Sequence, residues 1–114
     1  MTAEVGACAT VRAGACGLRS VVQATCADRR HVSFVIESDC ETIGALAAGL
    51  TEHGPFDAFD EIDSRTESAL LAVVRVHLKG CCAGCAVPVG LFKAMQVAAG
   101  LALPRDVVIE LAKA

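Results

Sequence analysis

The chain has no Trp and no Tyr, only four Phe and three Pro, and fewer Lys and Arg (10) than Asp and Glu (13). Without aromatic side chains to stack on bases, and with a formal net charge of −3, it lacks the basic footprint of a nucleic-acid binder. Its longest bulky apolar run, Ala69 to Val74, falls far short of the roughly 20 residues a bilayer-spanning helix needs. The opening Met-Thr-Ala-Glu-Val-Gly has neither a basic nor an apolar region, so no secretory signal is expected and a cytoplasmic location is. No Gly-rich phosphate loop, no Ser-His-Asp order and no pair of carboxylates in an apolar frame is found. Enzymatic activity is therefore not the expected reading. Tandem repeats, linkers and low-complexity segments are missing as well.

What is abundant is apolar sequence and cysteine. In a 114-residue chain, 54% hydrophobic and 20% charged residues are enough for one domain, residues 1–114, with a core that needs no disulfide staples. Seven cysteines are many for a reducing compartment, where such a set points to metal, iron–sulfur or thiol chemistry. The odd count excludes complete internal pairing. About half of them are expected to be small apolar core residues, as free cysteine commonly is.

Hydrophobic periodicity predicts an α+β fold: an antiparallel sheet of three or four strands with helices packed mainly on one face. Thr10 to Ala13 suggests a short strand. Leu18 to Cys26 places Val22, Ala24 and Cys26 on one face, and His31 to Glu37 alternates with Val32, Phe34 and Ile36 inward. The polar break Ala27-Asp28-Arg29-Arg30 between them has hairpin length. Ser38-Asp39-Cys40-Glu41 reads as a capping box with Ser38 as N-cap, placing Cys40 in the first turn of a helix near 39–52. The acidic stretch Phe56 to Asp63 reads as a short surface helix or turn. Residues 66–79 carry a helical stripe of Leu70, Leu71, Val74 and Leu78 with Thr66 and Gly80 as end signals, against a weaker strand alternation of Val74, Val76 and Leu78. Pro88 opens a helix near 87–99 that Gly100 stops. Val107, Ile109 and Leu111 alternate as a last strand would.

Cys16, Cys40 and Cys85 stand at junctions: before the Gly that leads into a strand, at a strand-to-helix handover, and just ahead of a helix. Thiolate is the metal-binding and nucleophilic form, and helix N-termini favour it because unpaired N–H groups and the macrodipole attract negative charge. Cys82-Ala83-Gly84-Cys85 is a C-x-x-C, whose turn aims two sulfurs at one point, as a tetrahedral metal requires. A thioredoxin-like role fits less well, since no strand–C-x-x-C–helix unit opens the chain and no aromatic flanks the motif. One such pair needs further ligands from elsewhere.

The order of parts, with separations of 24 and 45 residues between Cys16, Cys40 and Cys85, resembles the U-type iron–sulfur scaffold proteins of the IscU and NifU N-terminal type over roughly Thr10 to Ala99. The resemblance implies that these three cysteines converge at one end of a sheet and hold a nascent cluster. It implies, as partners, a cysteine desulfurase or a cluster acceptor, and a homodimer is compatible with it. This chain has Leu18 where the scaffold pattern has an Asp, Glu41 where it has a Gly, and Gly84 where it has a His. Cys82 or Cys81 would then replace a missing ligand and make an all-thiolate site for iron or zinc. The segment Cys85-Ala86-Val87-Pro88, with Lys93-Ala94 and Ala98 to Pro104, also resembles a family of short proteins from anaerobes, a likeness that implies no activity.

The expected metal set is thus Cys16, Cys40, Cys82 and Cys85, the first, second and last being the cluster-binding ones. A sulfur relay with a persulfide on Cys85 or Cys40, and a structural module whose cysteines merely pack, are the competing readings. Cys8, near the chain start, is expected to be a spectator thiol and Cys26 a core residue. His31 and His53 are expected to be solvated, and His77 to lie at a helix C-terminus, where it complements the dipole.

Overall fold

The computed structural model describes residues 5–63, 65, 67–79 and 84–114. Four strands, β1 (Val5–Arg12), β2 (Arg19–Cys26), β3 (His31–Ser38) and β4 (Phe56–Asp57), form one antiparallel sheet in the order β1-β2-β3-β4. Four helices follow β3: α1 (Glu41–His53), α2 (Ala58–Ile62), α3 (Ala69–His77) and α4 (Val87–Ala98). The mixed α+β class is the one the periodicity predicts.

Cross-strand register aligns the inward residues. Val22 lies opposite Ala9 and Ile36, Ala24 opposite Ala7 and Phe34, and Cys26 opposite Val32. Val22, Ala24, Cys26, Val32 and Phe34 are buried, while Cys8, Thr10, Gln23, Thr25, Ser33 and Val35 on the opposite face are exposed. The sheet is therefore covered on one face only. α4 lies over β1 and β2, α1 over β3, and α3 packs on α1. The core joins Leu46 and Leu50 of α1, Leu70 and Val74 of α3, and Leu91 and Met95 of α4.

Local chemistry accounts for the helix ends. Pro88 sits in the first turn of α4, where its missing N–H costs nothing. At the other end Gly100, at φ +77°, takes the left-handed conformation that ends a Schellman motif. Gly100 N–H donates to Val97 O at 3.1 Å and Leu101 N–H to Gln96 O at 2.8 Å, and Leu101 folds back onto the core. The helical stripe wins in α3 because Leu70 and Val74 are buried while Val76 is 71% exposed, an arrangement a strand does not produce. Its N-cap is Ser68, whose hydroxyl accepts from Leu71 N–H at 2.8 Å. Glu61 of α2 completes the cap, accepting from Leu70 N–H at 3.0 Å and from the Ser68 hydroxyl. Thr66 and Gly80, the end signals read from sequence, lie outside the described residues.

Three expectations are corrected. The first strand is not the short Thr10–Ala13: β1 is twice as long and takes in Cys8, paired with Gln23. Ser38 does not cap α1. It is the last residue of β3, opposite buried Ser20, and its hydroxyl is 2.7 Å from that of Ser20 while accepting from Cys40 N–H at 3.1 Å. The N-cap is Cys40 itself, with extended backbone (φ −96°, ψ 123°) and no side-chain cap bond, so Glu41 is the first helical residue. Finally, Val107, Ile109 and Leu111 form no strand. They are 53%, 69% and 92% exposed, and an alternating segment without a neighbour to pair with has nothing to satisfy its ladder.

Candidate thiolate site

The β1–β2 connection begins with Ala13 and a 3-10 turn, Gly14–Cys16, that ends on Gly17 at φ +71°, a left-handed position that suits glycine. Ala13 N–H donates to Leu18 O at 3.2 Å and closes the loop, which displays Cys16 to solvent. At the same sheet end Arg12 pairs with Arg19, and Ser20 with Ser38. Asp39 N–H then donates to Arg19 O at 3.1 Å, so the chain reaches Cys40 directly beside the start of β2. Cys40 is half-buried and packs against the core.

Cys85 arrives from the helical layer. Gly90, in the first turn of α4, is so close to β1 that a Cβ there would come within 2.7 Å of Val11 Cγ2 and 3.7 Å of the Ala9 Cβ. Val11 is the penultimate residue of β1, so α4 starts over the end of the sheet that carries the Cys16 loop. Cys85, two residues before α4, is half-buried and packs on the core. Topology thus brings the Cys16 turn, Cys40 and the start of α4 to one end of the sheet. Among the described residues, no group of three or more His, Cys, Asp or Glu side chains is gathered as a ready-made ion site. Cys81 and Cys82 lie outside the described residues. Cys26 is 2% exposed within the core, as expected of it, and its thiol faces Asp28 Oδ1 at 3.7 Å.

The histidines lie elsewhere. α1 has 13 residues and carries the chain about 20 Å from Cys40 to His53. There a groove of about 390 Å³ is lined by His53, His77 and apolar residues that include Phe56, Val73 and Val76. His77, the last residue of α3, donates from Nδ1 to Val73 O at 3.0 Å. Its ring occupies the space a side chain on Gly49 would need.

The polar break at the β2–β3 turn, read from sequence only as a hairpin, holds a charged cluster in which Asp28 opens the turn. Asp28 accepts from Arg30 N–H at 3.0 Å, His31 N–H at 2.7 Å and His31 Nδ1–H at 2.6 Å. These bonds, led by the one from the His31 ring, hold its carboxyl well below the usual carboxylate range. Arg30 pairs with Asp57 at 2.7 Å and lies over the Phe59 ring, tying the turn to α2. Because the folded state lowers the Asp28 pKa, its contribution is present above the unfolded value of about 3.9 and fades as pH falls below it. Asp28→Asn is therefore expected to lower the urea midpoint at neutral pH. The gap to the native chain should narrow below about pH 4, and an equal gap at all pH values would contradict this account.

Residues 7–111 match DUF6951, a family of unknown function. The chain belongs to this family. The match begins within β1, covers every later element to α4 and extends into the segment after it, so the junction cysteines and the exposed 103–111 stretch both lie inside the family's extent. No curated protein and no solved structure matches the chain. Among the described residues, no helix is long and apolar enough to cross a membrane.

Proposed function

We propose that the protein is a non-catalytic thiolate scaffold for zinc or an iron–sulfur cluster. Cys16, Cys40 and Cys85 supply ligands, Cys82 the fourth, and the protein works in the reducing cytoplasm. The observation that supports this reading is the shared sheet end. The Cys16 turn and the β3–α1 handover at Cys40 lie where β1 ends and β2 begins, and α4, which follows Cys85, starts over that end. Thiolates are the donors that zinc and iron–sulfur clusters select, and an all-sulfur tetrahedral set suits either. Bound there, the metal supplies a centre that fastens the turn and both helix starts to one another.

The chain's own residues shape what the site does. Cys40 and Cys85 rest on the core, giving the site an apolar floor, while Cys16 remains exposed on a glycine-bounded turn. Exposed Cys16 would leave one side of such a site open to solvent, where a partner such as a cysteine desulfurase or a cluster acceptor could approach. The two positions at which the U-type resemblance would place an Asp and a His are Leu18 and Gly84, which leaves the fourth ligand to the C-x-x-C.

Alkylation of the apo and the zinc-loaded protein, with mass mapping of each cysteine, tests the reading. Metal is expected to protect Cys16, Cys40 and Cys85 together and to leave exposed Cys8 reactive. A single fast thiol at Cys40 or Cys85, indifferent to metal, would instead favour the sulfur relay. Equal labelling of Cys16 and Cys8 in both states would overturn the scaffold.

A further inference from the structure

The segment after α4 is the least explained part of the molecule. From Leu103 to Ala114 every residue is exposed, including Leu103, Val107, Val108, Ile109 and Leu111 at 53–92%. Leu103 to Ala114 is exposed along its whole length, and its main-chain bond from Arg105 N–H to Leu103 O at 2.9 Å is local, so the segment stands clear of the core. An apolar stretch that alternates and is β-branched, held away from its own core, is a strand in search of a ladder.

The sheet offers such a ladder at β1. Its outer edge is eight residues long and carries no Pro and no Lys, the devices that usually block strand addition. Beneath it the core stops short: Ala7, Ala9 and Val11 face inward but are only half-buried, as they would be if another strand belonged beside them. The charge along β1 is the cation Arg12, and the projecting segment has an acidic Glu110 on the face opposite Ile109.

We propose that Val107–Leu111 of one copy adds as a fifth strand to the β1 edge of a second copy, giving a reciprocal two-fold dimer. Val107, Ile109 and Leu111 extend the inner face over Ala7, Ala9 and Val11, and Asp106, Val108 and Glu110 point outward. Main-chain bonds along β1 supply affinity and the alternating side chains fix the register. A second copy is the occupant because the segment is exposed throughout in its own copy, and because two-fold symmetry satisfies both edges and both segments at once.

Sedimentation across a concentration series under reducing conditions, on the full chain and on an Ile109→Asp, Leu111→Asp variant, tests the dimer. The native chain is expected to be dimeric and the variant monomeric with an unchanged circular dichroism spectrum. A sample mixed from labelled and unlabelled protein should show an intermolecular nuclear Overhauser contact between the Ile109 and Ala9 methyls. A native chain that stays monomeric, a dimer that survives the double substitution, a dimer abolished by reductant, or a contact confined to one copy would each overturn the proposal.

Discussion

Replacing Cys85 by Ser is expected to abolish metal or cluster binding while leaving the fold intact. Substituting even the outer partners of a metal site costs about 10–100-fold in affinity. Removing a thiolate from a tetrahedral set should exceed that, because the remaining donors leave an open position. Cys85 is half-buried and lies outside α4, so the smaller, more polar hydroxyl disturbs little packing. Cys8→Ser is the matched control: it lies on the open face of β1 and should bind metal as the native chain does. Cys26→Ser should behave in the opposite way to Cys85→Ser, weakening the fold and sparing the metal, since Cys26 is 2% exposed in the core. Metal content by mass spectrometry, alongside urea denaturation of the same samples, separates these outcomes. If Cys8→Ser and Cys85→Ser lose metal equally, the division between ligand and spectator is wrong.

Leu46→Ala should produce the largest loss of stability. Leu46 is fully buried in α1, the helix placed between β3 and α3, so its side chain belongs to the layer that joins the sheet to the outer helix. Truncating such a leucine costs about 2–5 kcal/mol, from lost transfer energy and the cavity left behind. A domain of this size is stable by only about 5–15 kcal/mol, so a substantial fraction disappears. The urea midpoint should fall by about 1–2.5 M for a mid-range slope of about 2 kcal/mol per M. Ala45→Ser, one residue away on the exposed side of the same helix, should change it little. Similar midpoints for the two variants would mean that α1 does not carry the core in the way its burial indicates.

Both effects trace back to features of different legibility. Alternation at Val22, Ala24 and Cys26 and at Val32, Phe34 and Ile36 identified β2 and β3, because a half-covered sheet imposes its period on every residue. The stripes of α1, α3 and α4, the Pro at the start of α4 and the Gly after it were local signals too, and they sufficed for helices on one face of an antiparallel sheet. By itself, then, the sequence determined the fold class, the main elements and the burial of Cys26. Non-local pairing decided the rest. Gly6, Ala7, Cys8 and Ala9 are small residues with little strand preference of their own, and they form β1 only because β2 lies alongside. Val107 to Leu111 alternate more convincingly yet form no strand, because no neighbour in the chain pairs with them. Ser38 was drawn from a helix cap into the ladder by buried Ser20, which made Cys40 the N-cap. Periodicity is a property of a few consecutive residues, whereas register is a property of pairs far apart. Only register could bring Cys16 and Cys40 to one end of the sheet, and only the close approach of Gly90 to Val11 set the start of α4 over it.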